Sequence, residues 1–92
     1  MSGDIVEQPD EIISVGQLNQ QAKKLLEQQF RGVSVIGEIS NIARPSSGHI
    51  YFTLKDEDGA IRCAMFKNQH LRLNFNPQNG DQCILKGQVS LY

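Results

Sequence analysis

No stretch of this sequence is apolar for long enough to cross a membrane, and its N-terminus lacks the basic-then-apolar start of a secretory signal. No membrane partner is expected, and the cytoplasm is the expected compartment. Cysteine is scarce: Cys63 and Cys83 stand far apart, each at a strand position that faces inward. They read as buried, reduced thiols, with a disulfide between them as the alternative. Together with His49 and His70 they form no Cys-x-x-Cys or His-x-x-x-His pair, so no metal site and no cofactor are expected. Catalytic patterns are missing too. Asp56, Glu57 and Asp58 form a solvated turn rather than a poised acid–base pair, and Glu38 on a bent strand reads as a structural group. Nothing links Ser, Cys and His into a nucleophile with its base, and no glycine-rich phosphate loop occurs. No residue here is expected to be catalytic.

A strong charge of either sign is also lacking, with nine Lys/Arg against ten Asp/Glu in 92 residues. The acids are unevenly placed, however. Asp4, Glu7, Asp10 and Glu11 fall in a first segment that holds no base; beyond it nine Lys/Arg face six Asp/Glu, a net +3. That mild excess suits a binding module of modest affinity rather than a tight autonomous DNA binder. Residues 1–11 are polar, acidic and unpatterned and read as a flexible tail. At 39% hydrophobic and 21% charged, the chain is of ordinary globular composition, and residues 12–92 read as one small domain.

Order begins at Ile13-Ser14-Val15-Gly16-Gln17-Leu18. Ser14 is placed as N-cap, Gln17 closes a capping box, and Ile13 and Leu18 are spaced as a hydrophobic staple. The spacing predicts a helix from Val15 to about Gln29. Val15, Leu18, Ala22, Leu25 and Leu26 form its apolar face, and Lys23 and Lys24 lie on a solvated face. Arg31-Gly32 is its exit. From Val33 the period becomes two. A first strand is expected at Val33–Ser40, bent or bulged at Gly37, then a loop through Ser47 and strands at 48–55 and 60–66. A helical or irregular link follows, anchored by Leu71 and Phe75, then a turn at Asn76–Asp81. A fourth strand is expected from Gln82 to Tyr92, with Cys83, Leu85, Val89 and Leu91 inward. A sequence that stops within a strand reads as part of a longer polypeptide, and the exposed edge beside strand one or strand four is expected to pair with another copy. Four strands with this spacing fit a five-stranded Greek-key barrel of the OB type whose last strand lies past Tyr92.

The hairpin 48–66 holds the candidate site. Alternation sends Ile50, Phe52, Leu54, Ile61, Cys63 and Met65 to the core. It sends His49, Tyr51, Lys55, Arg62 and Phe66 outward, with Lys67 continuing that edge. Rings among cations suit single-stranded nucleic acid, since bases stack on rings while phosphates meet positive charge. An exposed Tyr also serves cross-strand packing alone. The alternative for Phe66 is a core position under the 67–75 link, and for His49 a strand-capping role. Arg44, in the loop after the first strand, suits a phosphate contact or simply a turn stiffened by Pro45.

Taken together, Ile13-Ser14-Val15-x-Gln17-Leu18-Asn19, Gly37-Glu38-Ile39-Ser40-Asn41, Ser47-Gly48-His49-Ile50-Tyr51-Phe52-Thr53-Leu54-Lys55-Asp56 and Ile61-Arg62-Cys63-Ala64-Met65-Phe66 resemble the N-terminal region of the large subunit of bacterial exodeoxyribonuclease VII. The resemblance runs from about Ile12 to Tyr92. It implies an OB-fold domain that precedes the catalytic part of an exonuclease degrading single-stranded DNA from either end to oligonucleotides. It also implies assembly with several copies of a small helical subunit and catalysis without a strict magnesium requirement. The family's catalytic residues lie beyond this region. The implied role is to guide single-stranded DNA toward them, and the alternative is a docking module for assembly with the small subunit.

Overall fold

A computed structural model describes Gly3, Ile5 and residues 11–70 and 76–91. Most of the 1–11 tail, the anchors Leu71 and Phe75, and Tyr92 lie outside the described residues. The chain divides into two compact units: Met1–Val33 with Gly87–Tyr92, and Ser34–Lys86.

In the first unit, helix α1 spans Val15–Gln29 as the sequence predicts. Both halves of the capping box form: the Gln17 N–H donates to Ser14 Oγ at 3.0 Å, and the Ser14 N–H donates to Gln17 Oε1 at 2.8 Å. The reciprocal pair satisfies backbone donors that a helix start leaves without partners in the helix. No residue of α1 is buried; Val15, Leu18 and Leu25 of its apolar face are 76%, 42% and 59% exposed. Past the helix, the Val89 N–H donates to the Phe30 carbonyl at 3.3 Å.

The second unit is a four-stranded sheet in the order β3-β2-β1-β4, built from β1 (Val33–Ala43), β2 (Ile50–Lys55), β3 (Ala60–Met65) and β4 (Gln82–Gly87). A single turn, α2 (Lys67–His70), follows β3. β1 pairs with β2, and β2 with β3, antiparallel. Ile39, Ile50, Phe52 and Leu54 form the buried core, with Ile42, Cys63, Met65, Cys83 and Leu85 packed against it. The alternation in β2 thus sorts its residues as expected. Ile61, although on the core side opposite Leu54, is 45% exposed because β3 is an edge strand.

Several expected boundaries are corrected. β1 continues through Asn41, Ile42 and Ala43, and its irregularity lies there rather than at Gly37. Ser40 pairs with Thr53 and Ala43 with Tyr51, so one extra residue is inserted between them. Asn41 absorbs the insertion with φ 51°, a left-handed conformation that Asn tolerates better than most residues. At Gly37 the absence of a side chain serves close approach. A Cβ there would stand 2.8 Å from Leu54 Cγ and 3.0 Å from the Lys55 carbonyl oxygen. β2 starts at Ile50, not 48, since Gly48 turns with φ +89° and its N–H donates to the Pro45 carbonyl. Phe66 lies just past β3. β4 ends at Gly87, so Val89 and Leu91 are not strand residues, and Leu91 is exposed.

Candidate nucleic-acid interface

Pairing across β1, β2 and β3 builds the outer face row by row. Glu38, Lys55 and Ala60 form one row, Ser40, Thr53 and Arg62 the next, and Ala43, Tyr51 and Ala64 the third. Rows are two residues apart, about 7 Å along the strands. The inserted residue decides the third row. Without it Ile42 would stand beside Tyr51; with it Ile42 packs on the core and Ala43 takes the outer place. Tyr51 therefore stands between two alanines, whose methyl groups are short, and is half-buried. The bulge also leaves the Ile42 N–H off the ladder, and Asn79 Oδ1 accepts it at 3.0 Å.

The bulge is held from the 76–81 loop at more than one point. The Ile39 N–H donates to the Asp81 carbonyl, the Gly80 N–H donates to the Ile39 carbonyl, and Arg44 Nη2 donates to the Pro77 carbonyl. Pro77 is fully buried. Arg44 is thus a clamp on this loop, with guanidinium N–H groups to spare. Sequence reasoning missed Asn79, reading it only as a turn former. An Asn opposite a bulge carries no local signal, because its partner is 37 residues away.

Beyond the Tyr51 row lie three more of the expected residues. His49 Nδ1 accepts the Lys67 N–H at 2.8 Å, and the His49 and Phe66 rings meet edge to face, centroids 5.4 Å apart at 80°. The Lys67 stem lies along Gly48, where a Cβ would come within 3.1 Å of its Cγ and Cδ. Phe66 is 48% exposed and is not a core residue. His49 fastens the start of β2 to the end of β3 and also contributes a ring.

The cations differ in freedom. Arg62 Nη1 donates to Thr53 Oγ1 at 2.9 Å across the strands, and among the described residues it has no carboxylate partner. That bond lays the guanidinium along the face, one row from Tyr51. Lys55 is two rows away and pairs with Glu38 at 3.5 Å, so it stands apart from the rings and its charge is partly offset. Tyr51, His49, Phe66 and Lys67 gather toward one end of the sheet, Lys55 lies toward the other, Arg62 stands in the row between, and Arg44 is turned to the 76–81 loop.

The turn Asp56–Gly59 is self-contained: Asp56 Oδ1 accepts the Asp58 and Gly59 N–H groups at 2.8 and 2.9 Å. Cys63 and Cys83 are free and half-buried rather than buried. Burial pushes both thiols above their ordinary pKa, and the Asp81 charge adds to the effect at Cys83. Among the described residues no group of three His, Cys, Asp or Glu converges, and no helix is long and apolar enough to cross a membrane.

The family described as "OB-fold nucleic acid binding domain" matches residues 13–92. The chain is 52% identical over 83 residues to the exodeoxyribonuclease 7 large subunit of Haemophilus influenzae, covering 90% of this chain and 19% of that protein. The corresponding protein of Pasteurella multocida gives the same identity and coverage. That of Enterobacter sp. is 48% identical over 85 residues, 92% of this chain and 19% of the relative. The chain thus spans about a fifth of the length of the curated relatives it matches.

Proposed function

Since the chain belongs to the OB-fold nucleic acid binding domain family, we propose that the outer face of β1, β2 and β3 binds single-stranded DNA with little sequence preference. In this reading it guides the strand to a nuclease centre in the remainder of an exodeoxyribonuclease VII-like large subunit. The carrying observation is the Tyr51 ring between Ala43 and Ala64, with Arg62, which has no carboxylate partner among the described residues, in the next row and Phe66 at the strand end. A base can stack on a ring that has no large neighbour, while its phosphate meets Arg62. His49, Lys67 and Arg44 extend the path, and Lys55 contributes least because Glu38 holds it. Cleavage of phosphodiester bonds belongs to the rest of the enzyme, and these residues supply binding without metal or cofactor.

The test is binding of a labelled oligothymidylate across salt concentration. Affinity should fall steeply with salt, and the Tyr51→Ala, Phe66→Ala double variant should lose it while keeping its melting temperature. Unchanged affinity in a folded double variant would refute the stacking platform.

A second reading, docking to the small subunit of the nuclease, draws on the exposed Val15, Leu18 and Leu25 of α1. Under it, charged substitutions on that helix face would abolish subunit assembly and leave oligonucleotide binding by the chain intact.

A further inference from the structure

Helix α1 carries a basic surface of its own. An open groove of about 340 Å³ is lined by Lys23, Lys24 and Glu27 of the helix, by Arg31 just past its end, and by Gln88 from the far end of the chain, with helix glutamines between. Three cations face one carboxylate, a local net charge of +2. None of the three has a carboxylate within 4.0 Å among the described residues, even though Glu27 is four residues from Lys23, the spacing that commonly pairs. Sequence periodicity assigns Lys23 and Lys24 to an ordinary solvated face. It does not show that Arg31 and Gln88 join them in one concavity.

We propose that this groove is a second track for the sugar–phosphate backbone of single-stranded DNA, separate from the stacking face of the sheet and without a ring of its own. The inference rests on the single-strand reading above. The shape of the charge favours an extended polyanion over a compact anion. Lys23 precedes the helix end at Gln29 by about 9 Å of axial rise and Arg31 lies further on, so the cations are strung along the groove rather than rooted at one point. Free ammonium and guanidinium groups meet phosphate oxygens, and the glutamine amides donate to phosphate or sugar oxygens. Glu27 opposes the ligand and moderates its affinity.

The experiment measures labelled oligothymidylate binding to the 92-residue chain against salt, for the unaltered chain, a Lys23→Gln, Lys24→Gln, Arg31→Gln triple variant, and Glu27→Gln. The salt slope of the triple variant should become shallower by about 0.7 for each phosphate left without its cation, with roughly ten-fold weaker binding at low salt. Glu27→Gln should bind a few-fold tighter. A triple variant of unaltered helicity that keeps the original slope and affinity would overturn the proposal. So would a Glu27→Gln variant that binds no tighter, and this arm decides if the triple variant does not fold. Failure of the unaltered chain to bind would refute the sheet reading and this one with it. Binding that responds to Tyr51 and Phe66 but not to the groove variants would refute the groove alone.

Discussion

At the scale of single residues, the candidate interface depends on small side chains as much as on its ring. Ala43 and Ala64 flank the half-buried Tyr51, and a larger residue at either place would bury the ring further. Ala64→Leu should therefore weaken single-strand binding nearly as much as Tyr51→Ala, which should cost about 1–3 kcal/mol, with stability held or raised. Fluorescence anisotropy alongside thermal melting checks both. Arg62→Ala should flatten the salt slope by about 0.7, one single-strand phosphate's worth. The thiols give a pH prediction. Burial raises Cys63 in the folded chain, so the folded state holds its proton at pH values where the unfolded chain has released it. The stabilisation is complete below the ordinary thiol pKa and is lost as pH rises through and past about 9. Denaturation midpoints should fall between neutral and strongly alkaline buffer, and Cys63→Ala should flatten that fall.

At the scale of elements, the β1 bulge sets the outer face. It needs Asn41 in the left-handed region and Asn79 to accept the freed Ile42 N–H. Asn79→Ala leaves that donor without its protein partner and should cost about 1–2 kcal/mol in urea denaturation. A register slip in its place would move Ile42 onto the Tyr51 row and lower DNA affinity as well. At Gly37 the constraint is contact rather than conformation. Gly37→Ala drives a methyl group into Leu54 and the Lys55 carbonyl, so a destabilisation of about 1–3 kcal/mol is expected. The α1 start is simpler: Ser14→Ala removes one half of the capping box and should cost about 1 kcal/mol of helix stability, read by circular dichroism.

For the whole molecule, β1 lies between β2 and β4, so the edge expected beside it is closed, and the exposed edge of β3 is the feature with consequences in solution. Edge strands expose unpaired backbone groups, and β3 adds the 45% exposed Ile61. Val35 and Ile36 share a shallow groove with Ile61 beside the Asp56–Gly59 turn, adding exposed apolar side chains next to Lys55 and Asp56 at that end of the sheet. Sedimentation of the 92-residue chain should shift to larger species with concentration, and Ile61→Lys should restore the monomer. Concentration-independent sedimentation of the unaltered chain would count against edge pairing.

Much of this protein was settled by local sequence. The capping box depends on residues three apart, so α1 was legible to its last residue. The two-residue period of Ile50, Phe52 and Leu54 marked the core because successive strand side chains point to opposite faces. Tyr51 and Arg62 were legible as outward residues for the same reason, whereas Phe66 stayed open between surface and core until the structure showed it just past β3 and exposed. Other features needed contacts between distant residues. Ala43 reaches Tyr51 only through a bulge held by Asn79, and Lys55 is partly neutralised by a Glu38 on another strand. His49 accepts a hydrogen bond from an N–H 18 residues away, and Arg31 shares a groove with Gln88. Periodicity reports which way a side chain points. Only the paired strands and closed loops decide what it meets there, because hydrogen bonds and charge act across space rather than along the chain.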